Sequence, residues 1–336
     1  MNKQICALSL GAALVASVFA LDAQAQTKKS KSTKATKVEK PATKTAETPA
    51  TQDNSGHTDH TGHNHGAEGQ APAGGGTIKF IKNVPGTAAA LGSIVQGHIT
   101  VIDPQGKVVQ SSRSQGKSVM FKLQAPQFAN DLNEQLGKMS SGDSALITIP
   151  TDEMMKGVPD EQRPPMFPKG SNVVFGVQLE SVLSAEAFDA AQTKRLMDYA
   201  TAKGLKPITL PNGLMYGITK PGTGPNVKVK DVASVHYTGK LLNDTIFDSS
   251  IPRNSPYPVT VGTRSVIQGW DEGLQMFNKG AKGYLLIPYQ LGYGEQGSPP
   301  KIMPFDPLFF EIEITDLKPA APPAPPAAPV PPAPAK

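Results

Sequence analysis

Four short stretches, Val235-His236-Tyr237-Thr238-Gly239-Lys240-Leu241, Phe247-Asp248-Ser249-Ser250, Val266-Ile267-Gln268-Gly269-Trp270 and Tyr293-Gly294, follow one another in one domain-sized segment. They supply aromatic and branched apolar side chains, one carboxylate (Asp248) and two phenols (Tyr237 and Tyr293). Such a set suits a pocket that grips an apolar ring and the amide beside it. No strong nucleophile, metal-ligand cluster or phosphate-cradling loop accompanies them, which narrows the chemistry sharply.

Elements must hold these residues in place. A helix over Gln268–Phe277 puts Trp270, the only tryptophan, on one face with Leu274 and Phe277. Leu308, Phe310, Ile312 and Ile314 alternate with Phe309, Glu311, Glu313 and Thr315, the pattern of a half-buried strand. The same period of two turns Tyr237 and Phe310 inward and His236 outward, so His236 reads as a packing or surface residue. Pattern alone leaves two readings open: a binding pocket, or simply an aromatic core.

The segment has an internal counterpart. His236–Ser250 aligns without gaps on His98–Ser112, and Leu274–Pro288 on Leu136–Pro150, with Gly280 on Gly142. Val173, Phe175, Val177 and Leu179 alternate as Leu308 to Ile314 do. One fold is used twice, over 77–183 and 206–318. Strands, a short helix, then strands predict an α+β domain, an antiparallel sheet wrapped around a short helix. Between the copies, 184–205 reads as a helical linker. Ala185, Phe188, Leu196, Tyr199 and Ala200 make its stripe, and Gly204 ends it. That helix could pack in cis or join two copies into a homodimer.

The 336 residues are 38% hydrophobic and carry a formal charge of +5. That charge leans on a Lys-rich stretch rather than a basic face, so nucleic acid is not an expected partner. Residues 1–25 read as a signal peptide: Lys3, the apolar run Ile5–Leu21, then Ala23-Gln24-Ala25. Export to the periplasm or beyond follows, without stable membrane insertion. Cys6 is the only cysteine and leaves with the leader, so no disulfide supports the mature chain. Residues 26–76, rich in Lys and polar residues, lack the apolar content to fold. His57, His60, His63 and His65 in this stretch offer weak metal binding at best, or are incidental to a solvated linker. From Pro319 to Lys336 the chain is nearly all Pro and Ala, a disordered polyproline spacer.

With Gly222-Thr223-Gly224, Gly280 and Ile287-Pro288 added, the motifs of 206–318 stand in one order and spacing, and the segment resembles an FKBP-type peptidyl-prolyl cis-trans isomerase domain. The resemblance implies that Trp270 floors a proline pocket walled by Tyr237, Phe247, Val266, Ile267 and Phe310. Tyr257 would be a further pocket aromatic, Asp248 the polar group on the wall, and Ile302 part of the substrate-contacting loop. The Tyr293 hydroxyl and the Ile267 N–H would donate to peptide carbonyls. It implies no cofactor, proline-containing unfolded or nascent exported polypeptides as partners, and macrolides as inhibitors. Two stretches depart from the family: Tyr257-Pro258-Val259 in place of Phe-x-Phe, and the loop Ile302-Met303-Pro304-Phe305-Asp306-Pro307. In the first copy Ile99, Val109, Gln110 and Leu132 stand where Tyr237, Phe247, Asp248 and Trp270 do, Phe175 matches Phe310, and Tyr293 has no counterpart. That copy is expected to be a dismantled site. The competing reading of the whole is a non-enzymatic holdase chaperone on the same scaffold.

Overall fold

A computed structural model describes residues 76–320. The leader, nearly all of the Lys- and His-rich stretch and the tail beyond Ala320 lie outside the described residues, and with them the expectations of cleavage and metal binding.

The first sheet contains β1 (Thr77–Lys82), β2 (Ile94–Ile102), β3 (Val108–Ser111), β4 (Val119–Lys122), β5 (Ser144–Pro150) and β6 (Asn172–Leu183). Its order is β1-β5-β6-β2-β3, with β4 also on β2. The helix α1 (Leu132–Leu136) buries Leu132 and Leu136 against it, and a further turn, α2 (Thr151–Met154), follows β5. Val173, Phe175, Val177 and Leu179 of β6 are all buried while the residues between them are half-buried, so the alternation read as a strand does close a core on one face.

After the linker helix α3 (Ala185–Ala202) comes the second sheet: β7 (Ile208–Thr209), β8 (Met215–Lys220), β9 (Val232–Leu241), β10 (Ile246–Ser249), β11 (Tyr257–Thr260), β12 (Lys282–Ile287) and β13 (Leu308–Lys318). The order is β10-β9-β13-β12-β8-β7, with β11 on β9. Every pairing in both sheets is antiparallel. Its inner face receives α4 (Gln268–Gly273). The helix is shorter than the sequence suggests. It tightens into a 3-10 turn at Leu274–Met276, and Phe277 is extended because its carbonyl accepts the Val227 N–H at 3.1 Å. Trp270, Leu274 and Phe277 still share the buried face.

Ser184 caps α3, its hydroxyl accepting the Ala187 N–H. At the other end Gly204 takes φ +67°, which lets the Leu205 N–H reach the Ala200 carbonyl at 2.8 Å and stop the helix. Leu196, Tyr199 and Ala200 pack on Met215, Tyr284, Leu286 and Phe309, the outer face of the second sheet. The helix therefore spends this face in cis. No helix among the described residues is long and apolar enough to cross a membrane.

Candidate active site

Strand register assembles the rings. β9 and β13 place Tyr237 opposite Ile312 and Gly239 opposite Phe310, and β10 sets Asp248 beside Gly239. Gly239 is where Phe247 and Phe310 meet. A Cβ there would stand 2.6 Å from Phe247 Cζ and 2.7 Å from Phe310 Cε1. α4 can lie close beneath because Gly269 and Gly273 face Ile287 and Leu285 with no side chain between.

The outcome is an edge-to-face cluster. The Tyr237 and Phe310 ring centroids lie 5.0 and 5.3 Å from Trp270, and Phe247 lies 5.5 Å from Phe310. Above Trp270 opens a cavity of about 550 Å³ lined by Tyr237, Phe247, Asp248, Tyr257, Val266, Ile267, Tyr293 and Phe310, with Arg264 and Ser265 at the rim. Nine of the ten residues singled out from sequence meet here. Ile302 does not line the cavity: its side chain is 3% exposed and belongs to the domain core, because its backbone pairs with Ser298 and turns it inward. A larger cleft, about 920 Å³, runs between α3 and the 300–307 loop. It shares only Phe247 with the ring pocket and has no aromatic floor.

The polar edge is built around Asp248. Its carboxylate accepts from the Tyr237 hydroxyl, from Arg253 at 3.0 Å and from the Ser249 N–H at 2.9 Å. Arg253 also donates to the Tyr237 oxygen at 3.2 Å. Burial pushes the Asp248 carboxyl up, but these bonds and the Arg253 charge outweigh it and hold the group below its usual range. Burial and the Asp248 carboxylate push the Tyr237 phenol up to about 12. Burial, then the Asp248 charge, also raises Tyr293. Asp248 is thus an ionised, fully engaged acceptor and a poor proton shuttle. Two donors are unengaged: the Tyr293 hydroxyl and the Ile267 N–H have no acceptor among the described residues. The Trp270 indole N–H is also buried without a partner among them.

Sequence reading missed Arg253, Arg264, Ser265 and Asp271. Asp271 is 6% exposed and accepts the N–H groups of Gly262 and Arg264 at 2.9 and 2.6 Å, which fixes the loop leading into α4. An acidic residue in the first turn of a helix was the available signal.

A family model described as FKBP-type peptidyl-prolyl cis-trans isomerase matches residues 86–180 and 224–315, more than half of the chain. The chain belongs to the FKBP family. A probable FKBP-type peptidyl-prolyl cis-trans isomerase of Haemophilus influenzae is 46% identical over 118 residues, 35% of this chain and 48% of that protein. The peptidyl-prolyl cis-trans isomerase Mip of Coxiella burnetii is 40% identical over 122 residues, 36% of this chain and 52% of that protein. The crystal structure of FkpA from Escherichia coli is 36% identical, with a TM-score of 0.36 over 40% of this chain and 60% of that one. The chain spans about half the length of these two curated relatives.

Both FKBP repeats carry the sheet, but only the second carries the ring pocket. In the first, Ile99, Leu132 and Phe175 are buried in a core that also takes in Met154, Met155 and Phe167 from the segment after β5. Val109 packs against that core. Gln110, where Asp248 stands in the other repeat, is 6% exposed, and both its polar side-chain atoms lack a partner among the described residues.

Proposed function

We propose that the second FKBP repeat, residues 206–318, accelerates cis–trans rotation of X–Pro bonds in exported polypeptides as they fold. The observation that carries this is the tryptophan-floored cavity with two unengaged donors at its edge. The X–Pro amide resists rotation by roughly 18–20 kcal/mol because resonance keeps it planar, and uncatalysed exchange takes tens to hundreds of seconds. No bond is broken in the reaction. The site has to bind the twisted amide better than the planar one. Trp270 receives the proline ring, and Tyr237, Phe247 and Phe310 exclude water from it. Hydration favours the polar planar amide, so its removal lowers the barrier. Tyr293 and the Ile267 N–H hold the flanking carbonyls. Each tenfold of rate needs only about 1.4 kcal/mol of such preference, and no residue has to exchange a proton.

The first repeat, with its pocket filled, is proposed to have no isomerase activity. Export rests on the leader-like residues 1–25, and macrolide binding to the same pocket follows from the family. The test is cis-to-trans exchange of a Leu-Pro or Phe-Pro peptide with the full chain, beside Trp270→Ala and Asp248→Ala. Acceleration that collapses in the variants supports the reading. No acceleration by the folded wild type overturns it in favour of a peptide-holding chaperone on an FKBP scaffold.

A further inference from the structure

The segment that carries Tyr293 is held from outside its own domain. Tyr289 precedes it and Phe305 closes the loop after it. The Gly294 N–H donates to the Tyr289 carbonyl at 2.8 Å, and the Phe305 N–H to the Gly294 carbonyl at 3.1 Å. Both side chains turn away from the pocket toward the first half of the chain. Phe188 of α3 lies 5.8 Å from Tyr289 and 5.2 Å from Phe305, ring centroid to centroid, and Tyr289 lies 5.2 Å from Phe305. Ile94 of β2 and Met120 of β4 complete this cluster from the first repeat. Beside it, Asp189 accepts from the Tyr289 hydroxyl and from Gln290 Nε2, both at 2.9 Å. Lys122 of β4 reaches Glu295, two residues past Tyr293, at 3.2 Å.

Phe305 itself sits at φ +63°. A bulky residue adopts this left-handed conformation only when its surroundings impose it. The Phe188–Tyr289 pair supplies that imposition, since the Phe305 ring is 1% exposed between them. Docking of α3 does not require this arrangement, because Leu196, Tyr199 and Ala200 already anchor the helix on the sheet. The added contacts fall on the two flanks of Tyr293, at Tyr289 before it and at Glu295 and Phe305 after it.

We propose that the first repeat and α3 are a positioning body for the isomerase site, with Phe188 a positioning residue that acts on Tyr293 through Tyr289 and Phe305. This rests on the isomerase reading and gives the pocketless repeat a role in it. A repeat without a ring pocket of its own still presents Ile94 of β2 and Met120 and Lys122 of β4, and these side chains are what touch the active-site segment.

The test uses the full chain with Phe188→Ala, Phe188→Leu and Tyr289→Phe. Displacement of a substrate-holding group by a fraction of an ångström to 1 Å predicts a kcat/KM lower by about tenfold or more in Phe188→Ala. Phe188→Leu, which keeps an apolar side chain in the cluster, recovers most of it. Tyr289→Phe, which removes only the bond to Asp189, gives a smaller loss. Amide exchange is the second readout. In Phe188→Ala the Gly294, Ser298, Ile302 and Phe305 amides exchange faster while those of β12 and β13 keep their protection. Equal acceleration of exchange throughout the domain, or unchanged exchange with unchanged kcat/KM, overturns the proposal and leaves Phe188 as interdomain packing. A wild-type chain that failed to accelerate the peptide would sink the isomerase reading itself. Unchanged local exchange in Phe188→Ala would then sink the docking of the segment separately.

Discussion

Gly239→Ala tests the pocket wall by adding a single methyl group. Its Cβ would stand 2.6 and 2.7 Å from Phe247 Cζ and Cε2 and 2.7 Å from Phe310 Cε1, where ordinary contact begins near 3.4 Å. The nearer ring must therefore retreat by about 0.8 Å, the difference of those distances, and overpacking of this kind costs about 1–3 kcal/mol. Phe310 has no room to retreat, since Trp270 and Tyr237 lie 5.3 and 6.3 Å from its centroid. Phe247 borders open space in both the ring pocket and the larger cleft, so it is the ring that moves, and the pocket wall moves with it. A displacement of this size in a substrate wall predicts a kcat/KM lower by about 10²-fold in the peptide exchange assay. The midpoint of thermal unfolding of the domain falls with it, by about 4–8 °C for each kcal/mol. Gly176→Ala in β6 is the control: its Cβ meets nothing nearer than 3.7 Å. In the first repeat the position of Gly239 is held by Val101, opposite Phe175, and Val109 replaces the phenylalanine that a side chain there would strike. Wild-type kcat/KM in Gly239→Ala would refute the claim that ring placement sets the rate.

Two further outcomes follow from the polar edge. Asp248 is held below its usual range and Tyr237 and Tyr293 above theirs. None of these three groups then titrates between about pH 6 and about pH 9, and kcat/KM is flat across that window; a bell-shaped profile would show that a proton is transferred after all. Because the folded-state Asp248 carboxyl is depressed, its contribution to stability is complete above the unfolded value of about 3.9 and is lost as pH falls through the lower folded value. Asp248→Asn should accordingly flatten the acid limb of stability against pH. Asp271→Asn leaves one of the two N–H groups of Gly262 and Arg264 poorly matched, at about 1–3 kcal/mol. The loosened rim raises KM with little change in kcat, and an unchanged KM would count against a substrate role for Arg264 and Ser265.

The strands and their inward faces were legible because alternation is a local property: β6 and β13 bury the residues that the period of two assigns to the core. Phe309 shows where that reasoning stops. The same alternation puts it outward, yet it is 5% exposed because Tyr199 of α3 covers it at 5.2 Å. Which surface a linker helix covers depends on three-dimensional docking, and the stripe Phe188, Leu196, Tyr199 and Ala200 fits more than one partner. Ile302 fails for a related reason. A residue in the right loop can still face the core, and the direction is set by its pairing with Ser298. Arg253 was invisible because its link to Asp248 crosses a turn with no periodic signal.

The duplication separates scaffold from chemistry within one chain. The His98 Nδ1–Ser112 Oγ and His236 Nδ1–Ser250 Oγ distances are both 3.0 Å. The same serine oxygens accept the N–H of Ile99 at 3.0 Å and of Tyr237 at 2.8 Å. Thr100–Ser111 and Thr238–Ser249 repeat at 2.9 and 3.0 Å. A bond kept in a repeat without a ring pocket holds the sheet rather than a site, so the proposed reaction assigns neither histidine a part, although histidine is the side chain most often suspected of catalysis. The positions that differ are the ones to which the proposed isomerase reading assigns the pocket. Ile99, Val109, Gln110 and Leu132 replace Tyr237, Phe247, Asp248 and Trp270 on strands and a helix of the same order, which removes the aromatic floor and the anionic acceptor while the sheet stands. On the proposed isomerase reading, rotation of a prolyl amide depends on a small set of side chains that this fold does not need in order to form, and substitutions at those four positions in the second repeat should cost activity well before they cost the sheet.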